Sequence, residues 1–257
     1  MSALFVSDVH LDSASPEAVA QFLQFLASHA AQAEALYILG DLFETWVGDD
    51  DIDEVKSRVR DGLRELTRGG VACFILHGNR DFLLGKRFCE QTGCQLLTDP
   101  IVTELDGERV LVTHGDALCT DDQAYQELRS TVRTPQWQAR FLALQLSVRQ
   151  LLADRARAGS RDHTARSVPQ IMDVNAEAVL RAFRATHVRR IIHGHTHRPG
   201  THETVVDGQV AHRVVLGAWY EQGSYLCYDS GRYQLHTLPR AGGGATQQSA
   251  PPKPVSA

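Results

Sequence analysis

The chain has 257 residues, 43% of them hydrophobic and 22% charged, with a formal net charge of −5 at pH 7, a composition that supports one large core and excludes a fibrous or wholly disordered polymer. Its longest apolar run falls far short of the roughly 18 to 20 residues that cross a bilayer as a helix, so neither a signal peptide nor a membrane anchor is expected. The acidic balance argues against a general nucleic-acid coat, and no nucleic-acid partner is expected.

In chain order, Leu4-Phe5-Val6 before Ser7-Asp8 predicts a first strand, and a helical pattern follows over 17–30. Leu36-Tyr37-Ile38-Leu39 before Gly40-Asp41 predicts a second strand, and 53–68 a second helix. Cys73-Phe74-Ile75-Leu76 before His77-Gly78-Asn79 and Val110-Leu111-Val112 before Thr113-His114 repeat the strand pattern. A helix over 176–185 then precedes Ile191-Ile192, which stops at His193-Gly194-His195. Continuous rather than alternating apolar runs of this length read as strands buried on both faces, and their alternation with helices predicts an α/β fold. Residues 212–216, 224–228 and 232–238, with Asp229-Ser230-Gly231 as a turn, predict a second, partly antiparallel sheet.

Residues 1–240 are expected to form one domain. Within it, 120–170 reads as a helical insertion, and 241–257, rich in Gly, Gln and Pro, as a disordered tail. Trp137, Phe141, Leu144, Val148 and Leu151 follow at intervals of four and three, which places them on one stripe of a helix, widened by Leu142, Leu146 and Leu152. Between Arg129 and Arg166 stand eight Arg against Asp154 and Asp162, a local net charge of +6. The five cysteines, Cys73, Cys89, Cys94, Cys119 and Cys227, form no C-x-x-C pair, so no disulfide framework is expected and the compartment is read as the cytosol.

Each of the five strand candidates ends in groups that bind metals: Asp8-Val9-His10, Gly40-Asp41, Gly78-Asn79-Arg80-Asp81, His114-Gly115-Asp116 and Gly194-His195-Thr196-His197. In open α/β sheets, ligands collect beyond the carboxyl ends of the strands, so the five endings are expected to converge on one sheet edge. Two carboxylates, one amide and four imidazoles, without sulfur, suit Mn²⁺, Fe²⁺ or Zn²⁺ in five- or six-coordinate sites. Seven donors exceed the needs of one ion. Two ions roughly 3.5–4 Å apart stabilise both the attacking and the leaving oxygen in displacement at phosphorus.

This ordered pattern resembles the calcineurin-like metallophosphoesterases over about residues 3–220. The resemblance implies a two-sheet sandwich flanked by helices. It also implies that Asp8, His10 and His197 hold one ion, Asn79, His114 and His195 the other, and that Asp41 bridges them. Many superfamily members carry Gly-Asn-His where this chain has Gly78-Asn79-Arg80. Arg80 does not act as a general acid near neutral pH, but its fork clamps phosphate oxygens, which suits a leaving group needing no protonation, as in a diphosphate.

Longer strings, SDVHL at 7–11, ILGDLFETWVGDD at 38–50, HGNRDFLLGKRF at 77–88, THGDALCTDD at 113–122, IMDVN at 171–175 and IHGHTHRP at 192–199, are similar to those of the UDP-2,3-diacylglucosamine hydrolase branch of that superfamily. That similarity implies UDP-2,3-diacylglucosamine as substrate and two divalent ions, most simply Mn²⁺, as cofactors. Metal-activated water would attack the uridine-side phosphorus, with Asp41 and Arg80 in the catalytic centre, giving UMP and 2,3-diacylglucosamine 1-phosphate in lipid A synthesis. It implies peripheral association with the cytoplasmic face of a Gram-negative inner membrane; no protein partner is inferred. Substrate contacts are expected from Asn79, Arg80, Asp122, Ser160 and His195. Thr164 and Ser167 stand where relatives carry Asn and Lys, and Arg166 is a candidate for the missing cation. The apolar, Arg-rich insertion is expected to shelter the acyl chains, or else to pack as a plain helical cap.

Asp12 is read as a first-loop or surface acid, Asp49-Asp50-Asp51 as a solvated loop or helix start, and His77 and His193 as supporting residues. Phe43, Trp46, Phe82 and Leu84 are candidates for an acyl entrance or for ordinary core. The competing readings are another dinuclear-metal nucleotide phosphodiesterase or pyrophosphatase, and a non-catalytic scaffold on the same fold.

Overall fold

The computed structural model describes residues 1–166 and 173–240, the side chains of 160–166 excepted; the expected tail at 241–257 lies outside the described residues. From the N-terminus run β1 (Ser2–Val6), α1 (Pro16–Ser28), β2 (Ala35–Ile38), α2 (Glu54–Arg68), β3 (Ala72–Ile75), α3 (Lys86–Thr92), β4 (Gln95–Leu96), β5 (Ile101–Leu105) and β6 (Glu108–Val112). The insertion supplies α4 (Gln123–Val132), α5 (Pro135–Leu142) and α6 (Leu146–Arg166). The chain then returns through α7 (Ala176–Thr186), β7 (Arg190–His193), β8 (Gly200–Val206), β9 (Gln209–Val215), β10 (Gly223–Asp229) and β11 (Arg232–Leu238).

Two sheets pack face to face. One has the order β11-β10-β1-β2-β3-β4 and the other β5-β6-β7-β9-β8. In each, the central strands are parallel and the outer partners include antiparallel ones. Alternate residues of β1 and β2 explain the unbroken apolar runs. Leu4, Val6, Leu36 and Ile38 face α1 and α2 together with Phe22, Phe25, Val59 and Leu63. Ala3, Phe5, Tyr37 and Leu39 face the second sheet with Val110, Val112, Ile192 and Val214. The outer face of the second sheet is covered by Val179 and Phe183 of α7. The architecture is therefore the predicted sandwich, helices outside and two sheets within.

Three expectations are corrected. The strands expected to form one C-terminal sheet are divided: β9 pairs in parallel with β7, whereas β10 and β11 extend the first sheet from β1. The metal-bearing strand ends accordingly come from both sheets, β1, β2 and β3 from one and β6 and β7 from the other. The single stripe of the insertion is broken, because α5 ends at Leu142 and α6 begins at Leu146, so Trp137 and Phe141 sit on one helix and Val148 and Leu151 on another. Thr134 caps α5 by accepting from Trp137 N at 3.3 Å, and Pro135 opens its first turn, a start signal for a separate helix.

Candidate metal centre

The loops after β1 and β2 are zipped together: Asp8 N donates to Gly40 O at 3.1 Å, His10 N to Asp41 O at 3.0 Å and Leu11 N to Leu42 O at 2.9 Å. Gly194 N donates to His114 O at 2.9 Å, which joins the ends of β6 and β7. Five of the seven expected donors hold left-handed backbone: Asp8 (φ 55°), His10 (54°), Asp41 (52°), His195 (66°) and His197 (56°). Such φ values are disfavoured for residues with a Cβ and concentrate at functional sites, where the surrounding structure enforces them. Close approach of the backbone does the enforcing. A Cβ on Gly194 would lie 2.0 Å from Ser7 Oγ, and one on Gly78 would lie 2.1 Å from Asp41 Oδ1.

All seven expected donors come together. Asp8, His10 and His197 form one group and Asp8, Asp41 and His114 another, with ligating atoms inside each group within 4.8 Å of one another. His197 Nε2 is 3.3 Å from Asp8 Oδ1 and 3.5 Å from His10 Nε2. Asn79 Oδ1 lies 2.9 Å from both His114 Nε2 and His195 Nδ1, placing the last two donors beside the second group. His114 Nδ1 is 2.8 Å from Leu39 O; when it donates there in the neutral ring, Nε2 presents a lone pair toward the amide oxygen. Lone pairs converging in this way on the fully buried Asp8 carboxylate and its neighbours fit divalent metal ions, and the oxygen and nitrogen donor set is suited to them.

Electrostatics point the same way. Burial, aided by the neighbouring Asp81 and Asp8 charges and opposed by His114 and His10, pushes the Asp41 carboxyl up, to about 6. Burial would lower His114, but the Asp41 and Asp8 carboxylates beside it outweigh this and raise it to about 9. Burial would raise Asp8, yet the His197 hydrogen bond and the charges of His114, His197 and His10 hold it far below the usual carboxylate range. Burial and the neighbouring His114 lower His195 to about 4. In this crowded set, protons and metal ions compete for the same lone pairs.

Four carboxylates support the centre: Asp81 and Asp116 stand in two of the metal-binding strand endings but were given no role of their own, and Glu44 and Asp99 lack any distinctive local signal. Glu44 Oε2 is 2.9 Å from His10 Nδ1, leaving Nε2 to face Asp8 and Asp41, the carboxylate–histidine arrangement that orients metal ligands. Asp81, fully buried, accepts from Asp41 N, Leu42 N and Gly78 N and so ties two ligand loops together. Asp99 accepts from His114 N at 2.9 Å and Thr113 Oγ1 at 2.7 Å. Asp116 takes hydrogen bonds from Tyr125 OH at 2.6 Å and Arg129 Nε at 2.8 Å, anchoring α4.

Arg80 stands beside the centre. Its backbone N donates to Asp41 Oδ1 at 2.7 Å, and its Nε is buried without a hydrogen-bond partner among the described residues. From Glu44, Asn79 and Arg80 a cavity of about 580 Å³ extends beneath the insertion, walled by Trp46, Phe82, Trp137, Phe141, Leu144 and Leu152 among others. Of the four apolar candidates, Trp46 and Phe82 thus line the cavity, while Phe43 and Leu84 pack into the core. Asp122 caps α4, accepting from Tyr125 N at 3.0 Å. The side chains of Ser160, Thr164 and Arg166, and all of Ser167, lie outside the described residues.

The acidic triplet lies in the loop just before α2, as the reading of a solvated loop or helix start has it, but only Asp50 is exposed and all three carboxylates are engaged. Asp49 accepts from Trp46 Nε1, Gly85 N and Phe88 N; Asp50 pairs with Arg149; Asp51 pairs with Lys56 and Gln150. Long-range cationic and amide partners, invisible in the local string, turn the three carboxylates in three directions. The supporting roles of the other histidines hold. His77 Nε2 is 2.7 Å from Leu84 O. Burial lowers His193 to about 3, and its Nδ1 is 2.8 Å from Gly194 O. Asp12 accepts from Ala14 N within the first loop.

Residues 1–199 match the calcineurin-like phosphoesterase family. The UDP-2,3-diacylglucosamine hydrolase of Salmonella arizonae is 47% identical over 239 residues, covering 93% of this chain and 100% of that protein. The UDP-2,3-diacylglucosamine hydrolases of Escherichia coli O81 and Klebsiella pneumoniae are 50% and 49% identical over 226 residues, each with 88% of this chain and 94% of the relative covered. The chain belongs to the calcineurin-like phosphoesterase family, in the branch of the UDP-2,3-diacylglucosamine hydrolases.

Proposed function

We propose that this protein hydrolyses the diphosphate bond of UDP-2,3-diacylglucosamine in lipid A synthesis, with water attacking the uridine-side phosphorus to give UMP and 2,3-diacylglucosamine 1-phosphate. The observation that carries the reading is the cavity of about 580 Å³, polar at Glu44, Asn79 and Arg80 and largely apolar beneath the insertion, where Arg133, Arg140 and Arg157 edge it. A phosphodiesterase for small nucleotides has no use for such a chamber; a diacylated sugar nucleotide does.

Asp8, His10 and His197 would hold one ion, and Asn79, His114 and His195 the other, with Asp41 between them. Two divalent ions, Mn²⁺ in this reading, supply Lewis acidity and a nucleophilic water near neutral pH. Arg80 directs its fork at the phosphate oxygens, and its unpartnered Nε supports that role. The leaving phosphate monoester needs no proton donor, so an arginine in place of a superfamily histidine is chemically sufficient. Asn79, Asp122, Ser160 and His195 complete the proposed substrate contacts, with Thr164, Arg166 and Ser167 further along the insertion.

Leu128, Leu142, Leu144, Val148, Leu151 and Leu152 of the insertion are exposed, and the surrounding arginines suit an anionic headgroup surface. This pairing supports peripheral association with the cytoplasmic face of the inner membrane, from which a fatty substrate would be taken. No helix among the described residues is long and apolar enough to cross a membrane.

The test is hydrolysis of UDP-2,3-diacylglucosamine with Mn²⁺ in ¹⁸O-labelled water. Label is expected in UMP. Label in the sugar phosphate would overturn the site of attack, and absence of hydrolysis would overturn the substrate.

A further inference from the structure

We infer that the Tyr220 ring is the stacking platform for the pyrimidine base of the substrate, an inference that rests on the diphosphate hydrolysis proposed above. Tyr220 lies between β9 and β10. Its ring is nearly parallel to the His10 imidazole, with centroids 5.0 Å apart and 11° between planes, and it meets the His197 ring edge-on at 5.3 Å and 67°. It therefore sits directly on the group formed by Asp8, His10 and His197.

The segment is pinned there. The neighbouring Trp219 is fully buried, donates N–H to Asp8 O at 3.1 Å and Nε1–H to Ser224 O at 2.9 Å, and packs edge-on against Phe22 and Phe25. Tyr220 nevertheless leaves 54% of its surface exposed, beside a cluster whose other members are mostly buried. An aromatic ring laid on one imidazole, touched by a second and still half open to solvent has area for a further flat partner.

The shape of the substrate assigns that partner. Two acyl chains and a nucleoside are joined through the diphosphate, and the largely apolar cavity beyond Asn79 and Arg80, edged by Arg133, Arg140 and Arg157, suits the chains. Tyr220 does not line that cavity. A uracil ring has a π-face for stacking and polar edges that prefer water, so an exposed aromatic at the rim suits it better than an enclosed apolar chamber. Stacking of a base on an aromatic side chain strengthens binding on the order of tenfold, and the phosphate between base and sugar would then lie over the metal donors.

The test compares UMP with ribose 5-phosphate, which shares the sugar phosphate but lacks the base, as ligands of the Mn²⁺-loaded protein and of its Tyr220→Ala, Tyr220→Phe and Tyr220→Trp variants, by calorimetry. The wild type is expected to prefer UMP on the order of tenfold. Tyr220→Ala should abolish that preference while affinity for ribose 5-phosphate stays within about twofold, and Phe and Trp should retain it. The inference is overturned if the wild type shows no preference, if Tyr220→Ala keeps it, or if Tyr220→Ala loses Mn²⁺ and weakens both ligands equally, which is the signature of a ring that merely supports His10. Failure of the wild type to release UMP from UDP-2,3-diacylglucosamine would instead overturn the functional reading beneath it.

Discussion

Arg149, near the start of α6, turns both terminal nitrogens onto Asp50 of the loop after β2, with Nη1 at 2.8 Å from Oδ1 and Nη2 on Oδ2. The same guanidinium donates from Nη1 to Val47 O and from Nε to Leu144 O at 3.1 Å. Arg149 is 2% exposed, so one buried fork fastens the break between α5 and α6 to the body of the domain.

Arg149→Ala is expected to loosen the insertion. The ion pair itself contributes little, because half of the Asp50 side chain is open to solvent. The two carbonyls left without a donor carry the larger penalty, about 1–3 kcal/mol. Hydrogen exchange should quicken across 135–159, and KM for the diacylated substrate should rise several-fold while hydrolysis of a small chromogenic phosphodiester is unchanged. Equal loss on both substrates would show that the pair supports the metal centre rather than the chamber.

Glu44 is expected to act through His10. It is held ionised: burial raises its carboxyl, but the His10 hydrogen bond and the Arg80, His10 and Arg157 charges prevail and lower it. Removing such an orienting carboxylate weakens metal binding by about 10–100-fold. Glu44→Ala should lower Mn²⁺ affinity by that amount in a metal titration, and excess Mn²⁺ should restore most of the activity. An unchanged metal affinity would assign Glu44 to the cavity wall alone.

The strand ends were legible because their chemistry is local. A short apolar run that stops at Gly-Asp or Gly-His-Thr-His carries its own signal, and a sheet buried on both faces makes the run continuous, as in Leu36–Leu39. Glu44 and Asp99 were not legible, nor was the tie that Asp81 makes to the Asp41 loop, since each acts on a backbone or ring that only the folded loops bring near. The same limit hid the fate of β10 and β11: Leu4 opposite Cys227 is a pairing across most of the chain, and the turn at Asp229–Gly231 reveals the hairpin but not the strand it joins. In the insertion, the four-three spacing continued across a helix break because Leu144, which lies in the break between Leu142 and Leu146, is itself apolar.

Metal uptake is expected to be coupled to proton release. In the ion-free protein, burial lowers His114 but the Asp41 and Asp8 carboxylates raise it to about 9, so its imidazole is protonated at neutral pH and Nε2 is blocked. As pH rises toward 9 the proton leaves and affinity increases, about tenfold per pH unit if one proton is exchanged per ion. Below about 6, where burial has raised Asp41, a second proton competes and the dependence steepens. Mn²⁺ titrations between about pH 6 and 8, with calorimetry in buffers of different ionisation heat, measure both slope and protons released. A flat affinity would contradict the electrostatic description of the second group.

Gly194→Ala should separate site geometry from fold. Its Cβ would fall 2.0 Å from Ser7 Oγ and 2.2 Å from Asp8 Oδ2, both on buried residues with no room to withdraw. Asp8 Oδ2 accepts from His195 N at 2.8 Å, so the added methyl group pushes apart the loops that carry donors from the two sheets. Overpacking of this kind destabilises by about 1–3 kcal/mol, and the displaced Asp8 should weaken binding of the ion that it would hold with His10 and His197. Gly159→Ala, on exposed α6 with nothing within 4 Å of the added Cβ, is the matched control and should stabilise by about 0.5–1 kcal/mol. Thermal unfolding and metal content of the two variants test the contrast; retention of full metal binding by Gly194→Ala would mean that the junction between the sheets yields more than its contacts imply.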